Sequence, residues 1–168
     1  MKRTFLSLMT LFAIAITVSS CLKGTETLQP RDPAAEKDTI QKFITSKGYT
    51  MVEDENLKGL MYEIVNKGSA TDTISKDKPV AVVKYKGMLL NSTVFGESEN
   101  QSFDLRNAGG LIPSFYTALF KVGKGGQIRF VTPSAYAYGP YVKGSIPANS
   151  PLYFEIEVTD IKSPGNGY

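Results

Sequence analysis

Histidine is absent from the 168 residues, and cysteine occurs once, at Cys21. Without histidine there is no His-centred triad, no imidazole general base and no ordinary zinc or iron site. A lone cysteine cannot form an internal disulfide. Gly123, Gly125 and Gly126 precede a strand pattern rather than a helix start, so no glycine loop of phosphate-cradling spacing is present. A basic stripe is missing too, and nucleic acid is not an expected partner. There is no internal repeat, no low-complexity tract and, beyond the first twenty residues, no apolar run long enough for a membrane helix. No metal or cofactor is expected. An enzyme made from these residues must use chemistry that needs little acid–base or covalent help.

The N-terminus carries a different kind of signal. Lys2 and Arg3 precede an apolar run from Phe5 to Val18, interrupted only by Ser7, Thr10 and Thr17. The run is short for a bilayer span and suits an export signal. Val18-Ser19-Ser20-Cys21 follows and resembles the lipobox of bacterial lipoproteins, in which the cysteine receives the lipid. An ordinary cleaved signal with an incidental cysteine, or an uncleaved anchor, fits the same residues less closely. The expectation is a signal peptide over 1–20, lipidation at Cys21 and a protein held to a bacterial membrane, periplasm-facing or on the surface. More than one acyl chain would make that attachment stable. Loss of the signal takes the net charge from +3 to about +1.

Residues 21–31 read as a polar tether. Asp32-Pro33 is a helix start, with Ile40, Phe43 and Ile44 on one face, Asp38 and Lys42 paired four apart, and Gly48 as terminator. This helical segment is assigned to 32–58, with a domain over 59–162 and a flexible tail over 163–168. From Leu60 the period becomes two, with Leu60, Tyr62 and Ile64 alternating until Lys67-Gly68. Val80–Leu90 is a longer strand, with Val83, Tyr85, Gly87 and Leu89 on one face. Asn91-Ser92 turns the chain, Thr93–Phe95 returns it, and 102–105 is a separate short extended piece. Pro113 opens a two-turn helix carrying Phe115, Ala118 and Leu119 and ending at Gly123. Gln127–Thr132 is a strand stopped by Pro133, and 134–150 is a long Tyr-, Gly- and Pro-rich loop. Leu152–Ile161 alternates cleanly, with Leu152, Phe154, Ile156 and Val158 inward. These elements predict an α+β domain, a twisted antiparallel sheet wrapped around one short helix, plus the short N-terminal helix.

Three segments bear a further likeness. Val83-Lys84-Tyr85-Lys86-Gly87-Met88-Leu89 with Thr93-Val94-Phe95 comes first. Leu111-Ile112-Pro113-Ser114-Phe115 with Ala118-Leu119 and Val122-Gly123 comes second. Pro133-Ser134-Ala135-Tyr136-Ala137-Tyr138-Gly139, Ile146-Pro147-Ala148-Asn149 and Leu152–Val158 complete the set. In order and spacing they resemble the FKBP family of peptidyl-prolyl isomerases, over roughly residues 59–161. The resemblance implies an aromatic pocket for a proline ring. By motif, Tyr85, Phe95, Phe103 and Phe154 would be its walls and Phe115 its floor, with Leu111 and Ile112 along one side. The Ile112 N–H and the Tyr138 hydroxyl would bind substrate carbonyls, and Ile146 would close the rim. Tyr85, Phe95, Tyr138 and Phe154 are the implied catalytic set. Phe130 and Phe120 read as core. Tyr138, in a loop with little core to join, reads as functional.

The chain departs from the family pattern in places. Gly96 replaces the usual aspartate, Phe115 the floor tryptophan, Lys84 a common histidine, Ser145 an apolar rim residue and Ala148 a proline. On an extended strand Glu97 faces away from the position Gly96 leaves empty. The implied function is prolyl isomerisation of proline-containing exported polypeptides, weak for want of the carboxylate. A macrolide is a further implied ligand of the same pocket. A non-catalytic peptide- or partner-binding module and a purely structural lipoprotein are the alternatives.

Overall fold

The computed structural model describes residues 29–164. The expected export signal, Cys21 and most of the expected tether lie outside these residues, as does the end of the expected tail.

Asp32 caps the N-terminal turn as its position predicts: its Oδ1 accepts the Ala34 N–H at 2.9 Å. A single 3-10 turn, Pro33–Glu36, leads into α1, Lys37–Lys47. Gly48 ends α1 in the left-handed conformation, donating its N–H to the Thr45 carbonyl at 3.1 Å. Six strands follow, β1 (Val52–Glu53), β2 (Met61–Asn66), β3 (Val80–Leu89), β4 (Val94–Asp104), β5 (Gln127–Thr132) and β6 (Leu152–Lys162). They form one sheet in the order β1-β2-β5-β6-β3-β4, and every pairing is antiparallel. The second helix, α2 (Pro113–Leu119), lies across one face. The α+β architecture expected from the period changes is the one observed.

Two cores hold the sheet. The inward residues of β3, β5 and β6 (Val83, Ile128, Phe130, Phe154, Ile156, Val158) pack on Phe115, Ala118 and Leu119 of α2. On the opposite face α1 sets Ile40, Phe43 and Ile44 against Val131 and Tyr153. The Phe43 and Tyr153 rings lie 5.2 Å apart. Tyr153 is only 1 % exposed although strict alternation would give it to solvent, because α1 covers that end of the outer face.

Several sequence expectations need correction. The two short extended pieces at 93–95 and 102–105 are the ends of one eleven-residue strand, β4. Its middle, Glu97–Gln101, is polar because β4 is a sheet edge, and backbone pairing with β3 holds it without an apolar face. The two-residue strand β1 also lacked a signal of its own. Helix α2 ends at Leu119, with Phe120 as its cap, rather than at Gly123. Phe120 therefore leaves the helix on the solvent side, 49 % exposed and tilted against Tyr116, and is not core. Phe130 is buried as expected.

Candidate functional site

The cavity is built where β3, β4 and β6 curl over α2. Phe115, on the first turn of α2, is its hub. Its ring meets Tyr85 of β3 edge-on at 5.7 Å, Phe103 of β4 at 5.3 Å and Phe154 of β6 at 5.5 Å. Phe95 in turn stands nearly perpendicular to Phe154, with centroids 5.5 Å apart. Edge-to-face contacts of this kind are a preferred aromatic arrangement, worth about 0.5–1.5 kcal/mol beyond the area they bury. Phe130 stacks behind Phe154 at 5.1 Å and supports the wall without reaching the space.

Gly87 makes this approach of rings feasible. A Cβ there would stand 2.6 Å from the Phe95 ring and 2.9 Å from Phe154, so any larger residue would push the two walls apart. The alternation that placed Gly87 with Tyr85 gave its face but not this role; only the packing shows it.

Every residue assigned to the pocket from sequence borders one cavity of about 330 Å³: Tyr85, Phe95, Phe103, Leu111, Ile112, Phe115, Tyr138, Ile146 and Phe154. Gly96, Gly110, Lys143, Gly144 and Ser145 complete the lining. Ile112 is the N-cap of α2 and its carbonyl accepts the N–H groups of Phe115 and Tyr116, each at 3.1 Å. Ile146 is pinned at the rim by a paired bridge to Lys143, at 3.0 and 2.9 Å. Lys143, the cation of the rim, carried no sequence signal, because a single charge in a loop matches no motif.

Tyr138 sits in a turn closed by the Ser134 carbonyl, which accepts the Ala137 and Gly139 N–H groups at 3.0 and 2.8 Å. Burial raises the Tyr138 phenol above its ordinary value, with a smaller push from Tyr85. It therefore stays protonated at neutral pH and available as a donor.

Among the described residues no carboxylate lines this cavity. Gly96 faces it. Glu97 instead borders a shallow groove of about 460 Å³ on the other side of the sheet, with Lys84, Lys86, Glu99, Arg129, Glu155 and Glu157. That groove is larger but charged and partly closed on itself by ion pairing, Lys84 with Glu99 at 2.7 Å. The aromatic cavity is the better match to an apolar ring. Among the described residues no cluster of three metal-ligating side chains comes together.

Comparison with known proteins places this stretch of chain in a family. The model of the FKBP-type peptidyl-prolyl cis-trans isomerase family matches residues 71–159, just over half of the chain. The isomerase FkpA of Escherichia coli K12 is 34 % identical over 130 residues, covering 77 % of this chain and 46 % of the relative. FkpA of Buchnera aphidicola subsp. Baizongia pistaciae is 39 % identical over 106 residues, covering 62 % and 41 %. The crystal structure of Escherichia coli FkpA superposes with a TM-score of 0.63 at 36 % identity, covering 77 % of this chain and 59 % of that one. The chain thus spans about half the length of the curated relatives it matches. With the matched stretch running from before β3 into β6, and the aromatic cavity inside it, the chain belongs to the FKBP-type peptidyl-prolyl cis-trans isomerase family.

Proposed function

We propose that the chain catalyses cis–trans isomerisation of prolyl peptide bonds in exported polypeptides. The observation that carries this reading is the convergence of Tyr85, Phe95, Phe103, Phe115 and Phe154 on one small apolar cavity with the Tyr138 phenol at its edge. Amide resonance sets a rotational barrier of about 18–20 kcal/mol. Uncatalysed, the prolyl bond turns over in tens to hundreds of seconds. The planar amide is charge-separated, so removing its water weakens the resonance that keeps it planar. The aromatic walls seat the proline ring, and the Ile112 N–H and Tyr138 hydroxyl take flanking carbonyls. Donors fixed in advance can favour the twisted amide over either planar isomer. A hundredfold acceleration requires only about 3 kcal/mol of such preference. No nucleophile, metal or titrating base enters the scheme, which suits a chain without histidine. A macrolide would occupy the same cavity and compete with substrate.

Gly96 favours a second reading, a module that binds proline peptides without turning them over. A proline-limited refolding assay separates the two. Acceleration at micromolar protein, reduced by Tyr138→Phe and by Phe154→Ala in variants that remain folded, supports the enzyme. Refolding at the unaided rate in the presence of folded protein supports the binding module.

The proposal includes the place of action. The Lys2–Cys21 pattern supports lipidation at Cys21 and anchorage to a bacterial envelope membrane, close to newly exported chains. Among the described residues no helix is long and apolar enough to cross a membrane. Cys21→Ala should abolish the acyl mass increment and release the protein from the membrane fraction; unchanged membrane retention with no acyl mass in the parent chain would remove this part of the proposal.

A further inference from the structure

Glu36 is an acidic residue buried away from the cavity, 2 % exposed, in the N-terminal segment that precedes the family-matched stretch. A carboxylate loses its water at such a site and must be paid back in hydrogen bonds. Both of its oxygens go to one residue. Oε2 accepts the Ser134 N–H and Oε1 accepts the Ser134 hydroxyl, each at 2.7 Å. Arg31 stands 3.9 Å from Oε1 and is half exposed, a weaker partner.

Ser134 is also the closing residue of the turn that carries Tyr138. Its carbonyl accepts the N–H groups of Ala137 and Gly139, one on each side of Tyr138. A second tie comes from α2, where the Ser114 hydroxyl donates to the Tyr136 carbonyl at 2.9 Å. The turn lies in a long connection between β5 and β6, where irregular backbone has few ladder bonds to fix it. Its orientation depends on these ties.

The geometry points to Glu36 as a positioning residue: the N-terminal segment meets the chain just past the end of β5 and, through Ser134, sets the turn that aims Tyr138 into the cavity. The consequence for turnover rests on the isomerase reading above; the mechanical link between Glu36 and the turn does not. A donor that is to favour one transition-state geometry must be held there before reaction, so loosening its turn lowers the rate even with every lining residue in place.

Three variants of the full chain test this. Glu36→Leu keeps the volume and removes both acceptors. Glu36→Gln retains an acceptor for the Ser134 N–H and can donate to the Ser134 hydroxyl, so it serves as the rescue. Ser134→Ala removes the hydroxyl bond alone and is the milder probe if Glu36→Leu folds poorly. Amide hydrogen exchange reads the turn directly. Glu36→Leu should speed exchange at Ala137 and Gly139 by about tenfold relative to Phe130 and Phe154 in the central strands. Ser134→Ala should do so to a lesser degree, and Glu36→Gln should recover most of the protection. In the isomerase assay Glu36→Leu should lower kcat/KM by about fivefold in the parent but by less than about twofold when combined with Tyr138→Phe, because both changes act through the same hydroxyl.

Unchanged protection at Ala137 and Gly139 in Glu36→Leu and Ser134→Ala overturns the link. A loss of protection spread equally over the central strands does the same, and an equal loss of activity in both backgrounds overturns the route from the turn through the Tyr138 hydroxyl. If the parent chain proves inactive, the isomerase reading fails and the exchange measurement still decides the role of Glu36 on its own.

Discussion

Gly96 leaves the cavity without a carboxylate, yet the room for one is present. Its φ is not in the left-handed region, and a Cβ built there stands 3.7 Å from the Tyr85 hydroxyl, ordinary contact distance. Gly96→Asp should fold normally and raise kcat/KM in the isomerase assay by roughly fivefold, the factor that about 1 kcal/mol of charge-assisted hydrogen bonding supplies. An unchanged rate would mean that the aromatic walls and Tyr138 account for turnover without an acid. Asp54 gives a second single-residue expectation, this time for stability. It is 1 % exposed, its Oδ1 accepts the Asn56 and Leu57 N–H groups, and its Oδ2 lies 2.6 Å from the Lys121 ammonium. Burial works to raise its carboxyl; Lys121 and the two backbone donors outweigh that and leave it below the ordinary value of 3.8. A depressed folded value makes ionised Asp54 stabilising above the unfolded value, and this contribution is lost as pH falls through the folded one. Asp54→Asn should therefore cost about 1–3 kcal/mol at pH 7 and flatten the acid limb of stability below about pH 4 in denaturant titrations.

At the level of elements, what could be read in advance follows from how each one is buried. Strand β6 and strand β3 are central, with one face on α2, so their period of two is intact and Tyr85 and Phe154 fall on the correct side. Strand β4 is an edge, so its polar middle carries no period and Phe103 could be placed only by family likeness. Phe120 shows the opposite failure: an apolar residue just past a helix end reads as core until the cap turns it outward. Tyr153 could not be assigned from β6 alone, because its burial depends on a helix a hundred residues earlier in the chain. Gly87 was placed on the pocket face, while its tight fit under Phe95 and Phe154 is a property of three strands together. Helix α1 gives the test at this scale. Phe43 packs on Tyr153 and lies in the second core, so Phe43→Ala should cost about 3 kcal/mol and lower the thermal midpoint by roughly 10 °C. Because α1 closes over the same sheet that walls the cavity, unfolding should remain a single transition; a separate early step would show α1 to be independent of the domain.

The described part of the chain is one twisted sheet used on both sides. Helix α2 covers the concave face and closes the floor of the aromatic cavity, while α1 covers one end of the outer face and leaves the rest as a charged groove. That groove mixes Lys84, Lys86 and Arg129 with Glu97, Glu99, Glu155 and Glu157 rather than gathering one sign of charge. The absences met first in the sequence take on their meaning at this scale. Amide rotation, as proposed above, needs an apolar seat and fixed donors rather than an imidazole, and the cavity brings aromatic walls together with the Tyr138 phenol. NMR exchange spectroscopy on a proline-containing peptide, with and without a catalytic amount of the full chain, reads prolyl turnover directly. Cis–trans exchange should rise well above the unaided rate and fall back when Phe154→Ala replaces the parent protein or when a ligand fills the cavity. Exchange at the unaided rate with the protein folded and peptide bound would contradict the isomerase reading.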